Sequence, residues 1–150
     1  MIPKKILVCT DFSENSIPAH RCAVEWAAVF EAELAILHVV NSRFFGYPSF
    51  TDRVPVEMAL IQKNIEEGVD EELEAIAEEC RQNLSNVQVH SRSGAPAEEI
   101  IRFADEEAVD LIIMGTHGWT GVRHLILGST AENVVRTANC PVLSVRSKTE

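Results

Sequence analysis

The chain has 150 residues, 46% of them hydrophobic, with 13 Lys and Arg against 23 Asp and Glu, so its formal net charge is −10. A domain of this size buries on the order of 70% of its unfolded surface, which predicts one folded domain over 1–150. The acidity argues against non-specific nucleic-acid binding, which needs clustered Lys and Arg, and against adsorption to an anionic membrane.

Ile6-Leu7-Val8-Cys9 is a short continuous apolar run, the pattern of a strand buried on both faces. Asp11-Phe12-Ser13-Glu14 breaks it with turn chemistry. Ala23, Trp26, Ala27 and Phe30 then recur at helical spacing, predicting a helix over 16–31 with Trp26 in the core. Residues 34–40 form a second buried strand. The loop 41–54 carries Phe44, Phe45 and Phe50 and is long enough to suggest a role of its own, as a cover for a pocket or a partner contact. A long helix over 55–82 follows, with an apolar stripe from Met58 through Ile61, Ile65, Val69, Leu73 and Ile76 to Cys80; Gly68 is a point where it can bend.

Residues 87–91 alternate and predict a less buried strand. Ala97, Ile100, Ile101 and Ala104 mark a third helix, 110–114 a fourth strand, Ala131 to Ala138 a last helix, and 141–145 a last strand. Strands alternating with helices imply a parallel sheet with right-handed crossovers, a three-layer α/β fold. No stretch approaches the ~20 apolar residues of a membrane span, and the run 6–9 is too short for a signal-peptide core. A cytoplasmic protein is expected. The four cysteines, Cys9, Cys22, Cys80 and Cys140, include no C-x-x-C pair. Cys9 and Cys22 read as small buried hydrophobes, and disulfides are not expected.

Ligands of such sheets bind beyond the carboxyl ends of the strands, where the strand order reverses. The candidates are therefore Thr10 and Asp11 after the first strand, Val39 and Val40 at the end of the second, and the loop 115–128 after the fourth. Four of the seven glycines (115, 118, 121 and 128) lie in that loop. Glycine permits φ > 0 and lets a ligand approach the backbone N–H groups. Gly128-Ser129-Thr130 opens the last helix, where unpaired N–H donors favour phosphate. The only formal charge between 111 and 131 is Arg123, with His117 and His124 nearby. A second reading stands beside this one: Ser129-Thr130-Ala131-Glu132 is a capping box, which would explain Ser129 without a ligand. Neither a P-loop nor a G-x-G-x-x-G turn is present.

Gly115-x-x-Gly118, nine residues, then Gly128-Ser129 is the G-2x-G-9x-G-[S/T] signature of the universal stress protein family, which the chain resembles over its whole length. Ile6-Leu7-Val8-Cys9-Thr10-Asp11-Phe12-Ser13, Leu37-His38-Val39 and Cys140-Pro141-Val142-Leu143-Ser144-Val145 agree with it. The resemblance is to the branch that binds ATP. It implies a Rossmann-like α/β/α domain of the adenine nucleotide alpha hydrolase type, with a five-stranded parallel sheet in the order 3-2-1-4-5. It also implies an adenine nucleotide (ATP, ADP or AMP) as ligand and a role in stress response.

On that resemblance Asp11 holds the ribose end of the nucleotide, with Cys9 and Thr10 beside it. Val39 meets the adenine through its backbone, and Met114 packs nearby. Gly115, His117 and Gly118 wrap the ribose and α-phosphate, while Gly128, Ser129 and Thr130 hold the phosphates. Thr130 stands where the family commonly has an aliphatic residue. Magnesium or manganese would bridge phosphate oxygens, with Ser129 as a weak ligand. His117 contacts a phosphate or caps a turn; Trp119 is a lid or a dimer contact; His38 and His90 read as structural. The last strand, 141–146, lies at an edge in this order and implies a homodimer, though Arg146 and Lys148 would also blunt that edge. No carboxylate is placed by the sequence to activate water beside a γ-phosphate, so the expectation is a binding protein with little or no hydrolysis. A slow ATPase or phosphotransferase and a nucleotide-free dimerising scaffold are the alternatives.

Overall fold

The computed structural model describes residues 2–42, 56–118 and 127–147. Its elements are β1 (Lys5–Thr10), a 3-10 turn (Glu14–Ser16), α1 (Ile17–Phe30), β2 (Glu33–Asn41), α2 (Val56–Arg81), β3 (Val87–Gly94), α3 (Pro96–Glu106), β4 (Leu111–Gly115), α4 (Ser129–Thr137) and β5 (Val142–Val145). The strands form one parallel sheet in the order β3-β2-β1-β4-β5, as the resemblance implied. The loop segment carrying Phe44, Phe45 and Phe50 lies outside the described residues, as do Trp119, Gly121, Arg123, His124 and Lys148.

The sheet is covered on both faces, so the middle residues of its central strands are buried whichever face they point to. Ile6 and Val8 of β1 point to one face, against Ala19, Ala23 and Ala27 of α1 and Val69, Leu73 and Ala77 of α2. Leu7 points to the other, against Ile100 and Phe103 of α3 and Ala131 and Val134 of α4. This is why the apolar runs of β1, β2 and β4 are continuous, not alternating. Among the described residues no helix is long and apolar enough to cross a membrane.

Trp26 departs from the expectation. The stripe of α1 that meets the sheet is Ala19, Ala23 and Ala27, spaced four apart. Small side chains bring the helix axis close to the strands, and the indole is displaced to the flank. Trp26 is 38% exposed and packs edge-to-face on Phe30, with ring centroids 5.8 Å apart. The stripe of α2 is similarly buried only in its second half: Val69, Leu73 and Cys80 are covered while Ile61 is 50% exposed. The 26 residues of α2 span about 39 Å, against about 30 Å for the nine-residue β2, so its first turns overhang the carboxyl ends of the strands. The helix passes through Gly68 without a break. Cys9 and Cys22 are half-buried and not fully enclosed as expected, and all four cysteines are free.

The bottom of the sheet is tied by charge. The Asp110 carboxylate accepts from the backbone N–H groups of Lys4 and Lys5 (2.8 and 3.0 Å), joining the start of β1 to β4. The Lys5 ammonium pairs with Glu33 (3.2 Å) and Glu107 (2.7 Å). Burial pulls the Lys5 pKa down, but the two carboxylates outweigh it and the net shift is upward.

His90 on β3 packs on the Phe103 ring (centroids 4.7 Å apart), a structural role as expected. His20 on α1 is similarly enclosed, and the Nε2 atoms of both are buried without a hydrogen-bond partner. Burial lowers both pKa values from 6.5, outweighing nearby carboxylates: Asp11 and Glu79 at His20, chiefly Glu107 at His90. A depressed imidazole binds fewer protons in the native state than in the unfolded one, so its contribution is fully present above the unfolded value of 6.5 and is lost as pH falls below it. The urea midpoint should therefore drop between about pH 7.5 and 5.5, and the drop should be shallower in the His20→Gln/His90→Gln variant. Equal slopes for the two proteins would contradict this assignment.

Candidate functional site

Strand β1 pairs with β2 on one side and β4 on the other, and the chain leaves the carboxyl ends of β1 and β4 in different directions. The crevice between them holds a cavity of about 400 Å³, within the range of small-molecule sites. Cys9, Thr10, Asp11, Val39, Met114, Gly115, His117, Gly118, Gly128, Ser129 and Thr130 all line it. The fold thus brings these eleven residues together from four separate segments, while Val40, also a candidate, does not line this cavity. Ser16, Asn41 and Ile100 also line the cavity and were not anticipated.

The turn after β1 is a lattice of short hydrogen bonds. Asp11 Oδ1 accepts from the Ser13 N–H (3.0 Å) and the Ser13 hydroxyl (2.6 Å), an Asx turn. The Phe12 N–H donates to Thr10 Oγ1 (3.1 Å), and the Ser16 hydroxyl donates to the Ser13 carbonyl (2.7 Å). Phe12 itself is left-handed, with φ 63°, a conformation that bulky residues rarely adopt. Its ring stacks on His38 (centroids 4.3 Å apart), and His38 Nδ1–H donates to the Thr10 carbonyl (2.9 Å). A carbonyl only accepts, so this bond fixes the His38 tautomer. His38 is structural, as expected, and what it supports is this turn.

The three described glycines of the signature serve close approach and not φ > 0; none of them has positive φ. A Cβ on Gly118 would stand 2.8 Å from Asp11 Oδ2. One on Gly115 would stand 3.1 Å from the Asn15 carbonyl, and one on Gly128 3.2 Å from the Thr116 carbonyl. The Gly128 N–H donates to that same carbonyl (2.7 Å), closing the base of the loop. Asn15 acts as a clasp: its Nδ2 donates to the Gly118 carbonyl (3.1 Å) and its Oδ1 accepts from Ser147 (3.3 Å). Its value lies in a contact 103 residues away along the chain, which no local sequence pattern signals.

The capping box does not form. Gly128 is the N-cap residue, Ser129 is the first residue of α4, and no side chain caps the helix. Glu132 pairs with Arg136 one turn on and does not reach back to the helix start. The first turn of α4, with its backbone donors and positive dipole end, faces the cavity. His117 Nδ1 lies 2.9 Å from Thr116 Oγ1, a contact between the side chains of neighbouring residues. Cys9 is neutral: burial, with Cys140 adding to it, pushes its thiol up to about 12. It contributes apolar surface to the cavity. Asp11 is the only carboxylate among the described lining residues, and no group of three or more His, Cys, Asp or Glu in the described residues is placed to hold a metal ion.

The universal stress protein family profile matches residues 3–146. The chain belongs to the universal stress protein family. Universal stress protein MJ0531 of Methanocaldococcus jannaschii is 36% identical over 95% of this chain and 82% of its own. The solved structure of MJ0577 from the same organism covers 100% of both chains at 30% identity, with a TM-score of 0.75. A universal stress protein from Archaeoglobus fulgidus, solved in complex with dAMP, has a TM-score of 0.64 over 97% of this chain and 100% of its own, at 23% identity. That last likeness is one of fold.

In this universal stress protein the cavity depends on the Asp11–Ser13 lock. Ser13→Ala removes a hydrogen bond from a 5% exposed position and should cost about 1 kcal/mol of stability. Amide exchange in residues 11–16 should accelerate more than in β2. Unchanged exchange there would show that the backbone bond alone holds the turn.

Proposed function

We propose that the cavity binds an adenine nucleotide, ATP, ADP or AMP, and that the chain acts in stress response as a nucleotide-dependent binding or regulatory protein. The observation that carries this reading is the mixed lining of the cavity. It combines Asp11, a fixed acceptor suited to ribose hydroxyls, with the open first turn of α4 at Gly128, Ser129 and Thr130, suited to phosphate. Val39, Met114 and Ile100 add apolar surface for a base. The dAMP bound to the Archaeoglobus protein is a ligand of the same chemistry on the same fold. A magnesium or manganese ion would ride on phosphate oxygens, with the Ser129 hydroxyl as its protein ligand.

Little or no hydrolysis is the accompanying proposal. Phosphoryl transfer needs a group to orient the attacking water. The one described carboxylate lining the cavity is locked by Ser13 at the ribose end. Mass spectrometry of the nucleotide released on denaturing freshly purified protein, with thermal shifts on adding AMP, ADP and ATP, tests binding. Gly118→Ala drives a Cβ onto the locked Asp11 carboxylate, so it should weaken binding at least about tenfold and also lower the melting temperature of the nucleotide-free protein. Absence of any shift in the parent protein would refute the reading. A single-turnover rate near about 1 per second, abolished by Ser129→Ala, would establish an ATPase instead.

A homodimer through β5 belongs to the same proposal. The Pro141 and Val145 carbonyls accept from the N–H groups of Ile112 and Thr116, so Val142 and Ser144 turn their backbone groups toward the open edge. Helix α1 packs on β5 and exposes Trp26 and Val29. Ser144→Pro removes an outward donor without taking one from β4. Sedimentation should then show a monomer where the parent chain sediments as a dimer, and a dimer in both would exclude this edge.

A further inference from the structure

On the face of the sheet that carries α1 and α2, the two helices rest on the strands but hardly on each other. The gap between them is a groove of about 850 Å³, larger than the nucleotide cavity. It follows α1 from Ile17 to Ala28, about 16 Å or three helical turns. Its apolar surface comes from Phe12, Ile17, Val24 and Ile76, and Ile17 is 42% exposed. Its charge comes from Glu14 and Glu25 on one wall and Glu72 and Glu79 on the other, against Arg21.

We propose that this groove is the docking site for an amphipathic helix of a partner protein, with apolar residues on one face and Lys or Arg on its flanks, and that docking is coupled to occupancy of the nucleotide cavity. An apolar trough bounded by two parallel helices takes a third helix through anchors at i, i+3, i+4 and i+7. Four carboxylates on its rim select cationic flanks and reject acidic ones. The long helix α2 of a second copy is a poor occupant, since residues 57–79 carry nine acids and one base.

The coupling, which rests on the nucleotide reading, has a structural basis in the wall between the two cavities. Thr10 and Ser16 line both; Asp11 lines the nucleotide side, while Phe12, Ser13 and Glu14 line the groove side. These residues form the hydrogen-bonded turn around left-handed Phe12, so a ligand that shifts Asp11 shifts the groove floor. His20, a groove residue, feels the carboxylates of both Asp11 and Glu79.

The test uses a labelled peptide of about five helical turns, with Leu on one face and Lys on its flanks, and the same peptide with Glu for Lys. The cationic peptide should bind and protect amides of α1 and of the second half of α2, and the acidic one should not bind. Glu72→Lys/Glu79→Lys should weaken the cationic peptide about tenfold, roughly 1.4 kcal/mol. Glu71→Lys/Glu78→Lys makes the same change of net charge on α2 residues outside the groove and should leave affinity within about twofold. Equal losses in the two variants, or protection elsewhere, would overturn the docking site and reveal general attraction to an acidic protein. Saturating AMP should change peptide affinity about threefold or more, and the peptide should change AMP affinity by the same factor. AMP that binds without this effect overturns the coupling alone. AMP that does not bind removes the coupling together with the nucleotide reading, while the charge-reversal pair still decides docking.

Discussion

The molecule depends on the position of β1. It is hydrogen-bonded on both sides, with β2 and β4 as neighbours, and Ile6, Leu7 and Val8 are buried on both faces. Because the chain turns from β1 toward α1 on one face and from β4 toward α4 on the other, no helix among the described residues covers the carboxyl ends where these two strands meet. A crevice follows from topology alone. What makes it a site is the narrowness of the gap that the two loops must cross. Gly115, Gly118 and Gly128 each stand where a Cβ would press on the Asn15 carbonyl, the Asp11 carboxylate or the Thr116 carbonyl. The glycine signature is thus a packing requirement of two loops meeting over β1 and β4, before any ligand is considered.

Charge is divided between parts of the molecule with different tasks. Residues 57–79 hold nine acids and one base, Lys63, a local sum of −8, whereas 111–150 sums to +2. The acids of α2 lie on its outer surface; few have described basic partners, such as Glu74 with Arg81 and Glu67 with Lys63. Such exposed pairs contribute little to stability. Their collective effect is a negative field that repels other anions from that side. The β4–α4 half lacks carboxylates around its cavity, so a polyphosphate meets little repulsion there. A single net charge concealed two surfaces of opposite inclination.

Much of this was legible in the sequence. The doubly buried strands and the α2 stripe show as apolar periodicity, and the strand ends carry the glycines and Asp11. The failures have physical causes. Helical spacing places Trp26 on the apolar side of α1, but it does not report that the interface is built from alanines and leaves no room for an indole. Ser129-Thr130-Ala131-Glu132 fits a capping box, but the helix starts one residue earlier than that motif requires because Gly128 N–H is held by Thr116. Asn15 and the α1–α2 groove arise from contacts between distant segments, and nothing local announces them.

The turn 10–16 joins these observations. Most of its hydrogen bonds run within seven residues, yet it divides the nucleotide cavity from the larger groove. Holding Phe12 left-handed costs of order 1 kcal/mol, and the cost persists because Phe12 stacks on His38 and His38 is itself anchored to the Thr10 carbonyl. A turn over-determined in this way fixes Asp11 as an acceptor of constant direction, which suits recognition better than proton transfer. It also leaves few ways to move: a displacement of Asp11 must pass through Ser13 to Ser16 and the start of α1. The rigidity that suits the turn to the proposed binding is therefore the property that would carry occupancy to the opposite side of the wall.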